Sequence, residues 1–147
     1  MSIFDERFVQ VIKQPLSWEQ ALQASGDLLK NHGKIKQEYI DTMIANVHEL
    51  GPYIVIAPRV AMPHARPENG VHEKGISVVT LKEPTHFSDD PAHTVSLIVC
   101  LAAVDSDSHL ELLQTVSGWL ADENVLNDLI EAASTDELQH RLAEFYF

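Results

Sequence analysis

Apolar residues recur along this chain in two different rhythms. Phe8, Val9, Val11 and Ile12 form a short β-like run closed by Pro15. Ser17 then reads as a helix N-cap, with Gln20 placed as its capping-box partner. Trp18, Ala21, Leu22, Leu28 and Leu29 supply the apolar face of that helix, and Gly33 ends it. Tyr39, Ile40, Met43, Ile44 and Val47 repeat at helical spacing and predict a second helix from about Gln37 to Glu49, stopped by Gly51 and Pro52. The rhythm then changes. Tyr53 to Ala57 and Val60 to Met62 are short extended segments interrupted by Pro58 and Pro63. Gly75 to Leu81 reads as a strand. Thr94 to Ala103 is an unbroken apolar run rich in β-branched residues, which predicts a strand buried on both faces. Helices return over Ser108 to Leu120, Asn124 to Ala133 and Thr135 to Phe145, the last capped by Ser134. The order β-α-α-β-β-β-α-α-α departs from regular βαβ alternation. It predicts an α/β fold, a three-layer α/β/α sandwich around a small mixed sheet.

Length and composition narrow the possibilities. A chain of 147 residues with no internal repeat and no Ser/Gly linker predicts one domain over residues 1–147. The formal net charge of −12 argues against nucleic acid or an anionic membrane surface as partner, since both require clustered Lys and Arg. It favours a basic protein patch instead. No apolar run approaches the ~20 residues of a membrane span. Met1 to Lys13 carries two acids and no apolar block, unlike a signal peptide. Cys100 is the only cysteine, so an intramolecular disulfide is impossible and a cytoplasmic location is expected.

The segment Pro58 to Gly70, PRVAMPHARPENG, is the least ordinary stretch. Pro63 and Pro67 stiffen the backbone on both sides of His64, and Arg66 lies close by. Spacing alone leaves two readings open, a rigid turn with an exposed imidazole or a reactive imidazole held at a strand end. A second imidazole, His109, follows the loop that leaves the buried strand. With Ser108 as the expected cap, His109 falls in the first turn of a helix. There the dipole favours the neutral ring, and free backbone N–H groups suit an anion. Two strand-end loops on neighbouring strands would thus bring two histidines to one oxyanion.

The run PRVAMPHARPENGV, followed by GISVVTL, an apolar strand and DSDSHLELL, resembles the mannitol/fructose-type IIA component of the bacterial phosphoenolpyruvate-dependent sugar phosphotransferase system. ELGPYIVIAPRVAMPHARPENGV is most similar to the ascorbate-type branch. The resemblance covers nearly the whole chain. It implies a phosphoryl relay in which His64 accepts a phosphoryl group through Nε2 from the phosphocarrier HPr and passes it to a cysteine of a IIB component. It also implies that His109 hydrogen-bonds the phosphoryl group, and that a membrane IIC permease is an indirect associate. No metal or other cofactor is needed, because donor and acceptor exchange the group in line. Where the mannitol branch carries an arginine sixteen residues before the active histidine, this chain has His48. His48, when protonated, is one substitute; Arg66 is another cation in reach, and Ser108 offers a hydroxyl.

The remaining histidines, His32, His72, His86, His93 and His140, read as surface residues, and Cys100 as a buried, inert thiol. The run from Glu83 to Pro91 reads as a solvated loop. Two rival functions remain on residue grounds. One is a phosphorylation-dependent regulatory binding protein. The other is a small metal-dependent hydrolase using His64, His109 and nearby acids, against which stands the lack of H-E-x-x-H and C-x-x-C spacings.

Overall fold

The computed structural model describes residues 6–143. Its main elements, in chain order, are β1 (Val9–Ile12), α1 (Trp18–Lys30), α2 (Gln37–Leu50), β2 (Val55–Ala57), β3 (Arg59–Ala61), β4 (Gly75–His86), β5 (Thr94–Ala102), α3 (Ser106–Leu120), α4 (Glu123–Glu131) and α5 (Thr135–Leu142). The expected α/β architecture is present. One sheet of order β1-β4-β5-β3-β2 carries both parallel and antiparallel neighbours. The short extended segments flanking Pro58 form two strands of a tight hairpin, so the sheet has five strands, one more than the predicted order counts. The expected continuation of the last helix to Phe145 lies outside the described residues.

Strand alternation distributes the core. Leu97, Val99 and Leu101 of β5 face α3, α4 and α5, where Leu112, Val116, Leu126, Leu129 and Leu138 meet them. Ile98, Cys100 and Ala102 face the other way, toward α1 and α2. Val95 to Ala102 are all buried, as expected for a strand covered on both faces. Cys100 lies in this interior, where burial pushes its thiol up to about 12, so it stays protonated and unreactive.

The helix starts follow local chemistry. Ser17 accepts from the Gln20 N–H while the Gln20 side chain accepts from the Ser17 N–H, which makes the reciprocal capping box. Two helices of the other layer begin on Asp122 and Ser134, whose side chains accept from nearby backbone amides.

The segment from Glu83 is not a solvated loop. β4 continues to His86, Thr85 and Phe87 are buried, and Thr85 donates to the Leu16 carbonyl at 3.0 Å. Pro84 is tolerated because the β4–β5 ladder shifts register between Thr80 and Thr85, where no proline N–H is required. Phe87 then stacks on Trp18, with ring centroids 5.6 Å apart.

α1 and α2 approach most closely at Gly26. A Cβ there would lie 2.5 Å from Ile40 Cγ1, and Ile40 is fully buried. Gly26→Ala therefore trades a helix-propensity gain of about 1 kcal/mol against an overpacking cost of about 1–3 kcal/mol. A net loss of stability is expected in urea unfolding; a gain would contradict this account of the α1–α2 contact.

Candidate active site

His64 lies just beyond β3, in a segment whose backbone is pinned on both sides of it. The Met62 N–H donates to Ile54 O at 2.8 Å, and the Leu101 N–H donates to Pro63 O at 3.0 Å. The Ala65 N–H donates to the Tyr39 hydroxyl at 2.9 Å. Pro63 and Ala65 are buried, while the His64 ring is half-buried. The prolines thus act with a hydrogen-bonded frame to present one imidazole.

That imidazole has a defined tautomer. His64 Nδ1 lies 2.7 Å from the Met62 carbonyl oxygen, which can only accept. Nδ1 therefore carries the hydrogen, and in the neutral ring Nε2 keeps its lone pair. A nucleophile is available at Nε2 without a separate base.

His109 comes from the neighbouring chain segment, four residues past the α3 N-cap. Its ring centroid is 4.8 Å from that of His64, with the planes at 50°. His109 Nε2 is buried and has no hydrogen-bond partner. Burial lowers the His109 pKa from its ordinary value of 6.5, and the adjacent His64 lowers it further, since two cationic rings repel. The resting ring is neutral at pH 7.

This shift has a sign for stability. The unfolded chain takes up a proton on this residue as pH falls below about 6.5, whereas the folded protein does so only at lower pH. His109 therefore costs stability progressively as pH drops from about 6.5 through its folded value, and costs nothing well above it. Urea titrations at pH 7.5 and 5.5 should show a smaller stability loss in His109→Gln than in the parent. An equal loss in both would remove His109 from the acid response.

A cleft of about 480 Å³ opens at the pair, lined by His64, His109, Arg66, Asn46, Tyr53 and Ser106 among others. Tyr53 sets its ring edge-on to His64 with centroids 6.1 Å apart. Arg66 is exposed at the rim. The arrangement fits a tetrahedral anion: a nucleophilic nitrogen, an unsatisfied ring nitrogen beside it, and a guanidinium at the edge. Among the described residues, no three His, Cys, Asp or Glu side chains come together in a way that could hold a metal ion.

The model of the family described as phosphoenolpyruvate-dependent sugar phosphotransferase system, EIIA 2, matches residues 2–145. The chain belongs to this family. This IIA protein is 34% identical over 138 residues to the ascorbate-specific PTS system EIIA component of Escherichia coli (strain K12), covering 92% of this chain and 88% of that protein. Its fold is similar to the solution structure of the mannitol-specific cryptic phosphotransferase enzyme IIA of Escherichia coli. The TM-score is 0.89 at 32% identity, covering 99% of this chain and 100% of that one. It also shares the fold of a mannitol enzyme IIA from Escherichia coli solved in complex with phosphorylated enzyme IIB, with a TM-score of 0.76 at 22% identity, covering 92% and 94% of the two chains. The IIA protein is thus a component of a sugar phosphotransferase system, in a phosphoryl-carrying role.

Two residues of the IIA site stand elsewhere than the sequence predicts. Ser108 is not the α3 cap. Asp105 is, and its carboxylate accepts both the Ser108 N–H at 2.7 Å and the Ser108 hydroxyl at 2.8 Å. These bonds hold the Asp105 pKa below its usual value. Asp105, Ser106, Asp107 and Ser108 are all cap-forming types, so local composition does not choose among them. One consequence is that Ser106, not Ser108, lines the cleft. A second is that the His109 N–H is already used, donating to Asp105 O at 3.1 Å.

His48 is the other. Its ring packs on Trp18 with centroids 4.8 Å apart, and its Nε2 lies 3.7 Å from a Glu19 carboxylate oxygen. It does not line the cleft; Asn46, about half a turn earlier in α2, does. Helical rotation separates the two by about 200°. Asn46, Tyr53 and Ser106 carried no recognisable spacing and emerge only from the folded arrangement. His93, expected at the surface, is half-buried, with Nδ1 2.7 Å from the Ser88 hydroxyl.

Proposed function

We propose that this protein carries a phosphoryl group on His64 Nε2 between HPr and a IIB component during uptake of a sugar of the ascorbate type. The observation that carries this reading is the pairing of His64, with Nδ1 committed to Met62 O, and His109, with an unpartnered buried Nε2. In the first transfer, the Nε2 lone pair attacks phosphorus of phospho-HPr, the new N–P bond forms in line as the old one breaks, and the HPr imidazole leaves. In the second, a IIB cysteine thiolate attacks the same phosphorus and the His64 ring leaves. Each step conserves the phosphoryl group and consumes no further reactant. The transition state is loose, so the protein contributes mainly position and charge stabilisation. His109, with its proton on Nε2, donates to a phosphoryl oxygen, and Arg66 neutralises charge at the rim.

The branch assignment rests on the ascorbate-specific relative, and the IIB partner on the solved mannitol IIA–IIB complex. The single IIA domain over residues 1–147 acts in the cytoplasm and associates with a IIC permease only through IIB. No helix among the described residues is long and apolar enough to cross a membrane. Exposed Leu50, Tyr53, Val104 and Leu110 belong to the elements around the cleft and suit protein docking better than sugar binding.

Transfer onward is the direct test. Phosphorylated protein mixed with a purified ascorbate-type IIB component should lose its phosphoryl group to the IIB cysteine faster than to a mannitol-type IIB. Retention of the group in the presence of both acceptors, each shown active with its own IIA, would overturn the reading.

A further inference from the structure

The β3–β5 ladder is parallel, with Val60 opposite Leu97 and Ala61 opposite Ile98. Continued at the same offset, this register brings His64 opposite Leu101. In a parallel pair, a residue on one strand bonds through its N–H and its C=O to the residues before and after its opposite number. The first of these bonds is present, from the Leu101 N–H to Pro63 O at 3.0 Å. The second would run from the Ala65 N–H to Leu101 O. Instead, the Ala65 N–H donates to the Tyr39 hydroxyl at 2.9 Å, and that hydroxyl donates onward to Leu101 O at 2.7 Å. The Tyr39 oxygen also lies 3.3 Å from Ala65 O. Tyr39 is thus inserted into the ladder at the rung that flanks His64.

We propose that Tyr39 is a positioning residue for phosphoryl transfer, its hydroxyl wedging the last β3–β5 rung open so that His64 turns out of the sheet into the cleft. This rests on the phosphocarrier reading above and deepens it. Tyr39 comes from α2, is only 1% exposed, and packs among Phe8, Ile40, Met43 and Cys100. Its ring therefore has a fixed place from which to present the hydroxyl. Burial raises its pKa well above the ordinary tyrosine value, so the hydroxyl keeps the hydrogen that Leu101 O accepts. The same residue, Leu101, then fixes both neighbours of His64, Pro63 directly and Ala65 through Tyr39. Leu101 also lies at the end of the strand that leads to α3 and His109. One hydroxyl in this way ties the nucleophile's segment to the strand that delivers its partner.

Tyr39→Phe keeps the ring and removes the wedge. Without it the rung can close, the chain straightens at His64, and the bond from Nδ1 to Met62 O is lost. The primary readout needs no partner protein. In the parent, ring ¹⁵N shifts of His64 should report an almost pure Nδ1–H tautomer; in Tyr39→Phe they should move toward a mixture. The rate of phosphorylation by phospho-HPr, per folded molecule, should fall about 10–100-fold. A purely structural role would lower the melting temperature while leaving the ¹⁵N shifts and the rate per folded molecule at parent values, and that result overturns the proposal. Should the variant not fold, amide exchange in the parent decides. Protection of the Ala65 N–H comparable to that of β5 amides is expected, and free exchange there contradicts the wedge. If the parent protein takes no group from phospho-HPr, the relay fails, while the ¹⁵N arm still judges the wedge.

Discussion

His64→Ala should take up no phosphoryl group from phospho-HPr, a loss of at least about 10⁴-fold in rate, because it deletes the atom to which the group bonds. The physical basis lies in a single ring. Met62 O fixes the hydrogen on Nδ1 at 2.7 Å, and in the proposed relay the free lone pair on Nε2 is the nucleophile. Neither Cys100 nor His109 is placed for the task. Cys100 is buried and held protonated, with its pKa near 12. The His109 ring is neighbouring, yet its Nε2 is enclosed. The fold should survive, since His64 is half-buried and its side chain bonds locally, to the Met62 carbonyl. Far-ultraviolet circular dichroism and urea unfolding would establish that. Phosphorylation of His64→Ala at the parent rate would remove His64 from the chemistry altogether.

His109→Ala should slow transfer by about 10²–10³-fold while leaving His64 able to react, the magnitude associated with losing one donor to a developing oxyanion. The native ring carries a buried Nε2 with nothing to bond. An unsatisfied buried polar atom costs about 1–3 kcal/mol in the resting protein. A phosphoryl oxygen on His64 would satisfy it, so the stabilisation appears only when the group is bound. That is the differential binding from which rate acceleration comes. Two corollaries separate this role from simple packing. His109→Gln, whose amide can donate, should recover part of the lost rate. The stability of unphosphorylated His109→Ala should stay close to that of the parent, because the native polar atom contributed no bond. Stopped-flow or quench measurements with phospho-HPr would read the rates. A His109→Ala protein that reacts as fast as the parent would contradict the donor role.

Much of this architecture is legible in the chain because local chemistry and burial agree. The Ser17–Gln20 box, the 3–4 spacing of α2 and the unbroken apolar run of β5 each have one good solution, and the protein adopts it. The two histidines are legible for a related reason. His64 sits just beyond β3 and His109 near the start of the helix that follows β5, and β3 and β5 are parallel neighbours that deliver both to the same end of the sheet.

What was not legible depends on competition or distance. Four consecutive cap-forming residues, Asp105 to Ser108, stand at the start of α3, and only the packed helix start selects Asp105 over Ser108. The strand beyond Pro84 is hidden because the ladder breaks before it: four residues of β4, 81–84, stand against the single Ser96 of β5, and only the restored pairing shows that the strand continues. His48 occupies the position where the mannitol branch has an arginine, yet the aromatic face of Trp18 draws it away from the cleft. Tyr39 is the sharpest case. By spacing it is one more apolar position of α2, and its ring does pack that way. Its hydroxyl acts on residues 26 and 62 positions away in sequence, which no local pattern reveals.

The most direct test of the central claim is the intact mass of the protein after incubation with phosphoenolpyruvate, Enzyme I and HPr, kept away from acid throughout. The account predicts one added phosphoryl group on the parent chain, lost on brief acid treatment and absent from His64→Ala. An unmodified mass, with Enzyme I and HPr shown active on another IIA protein, would contradict it.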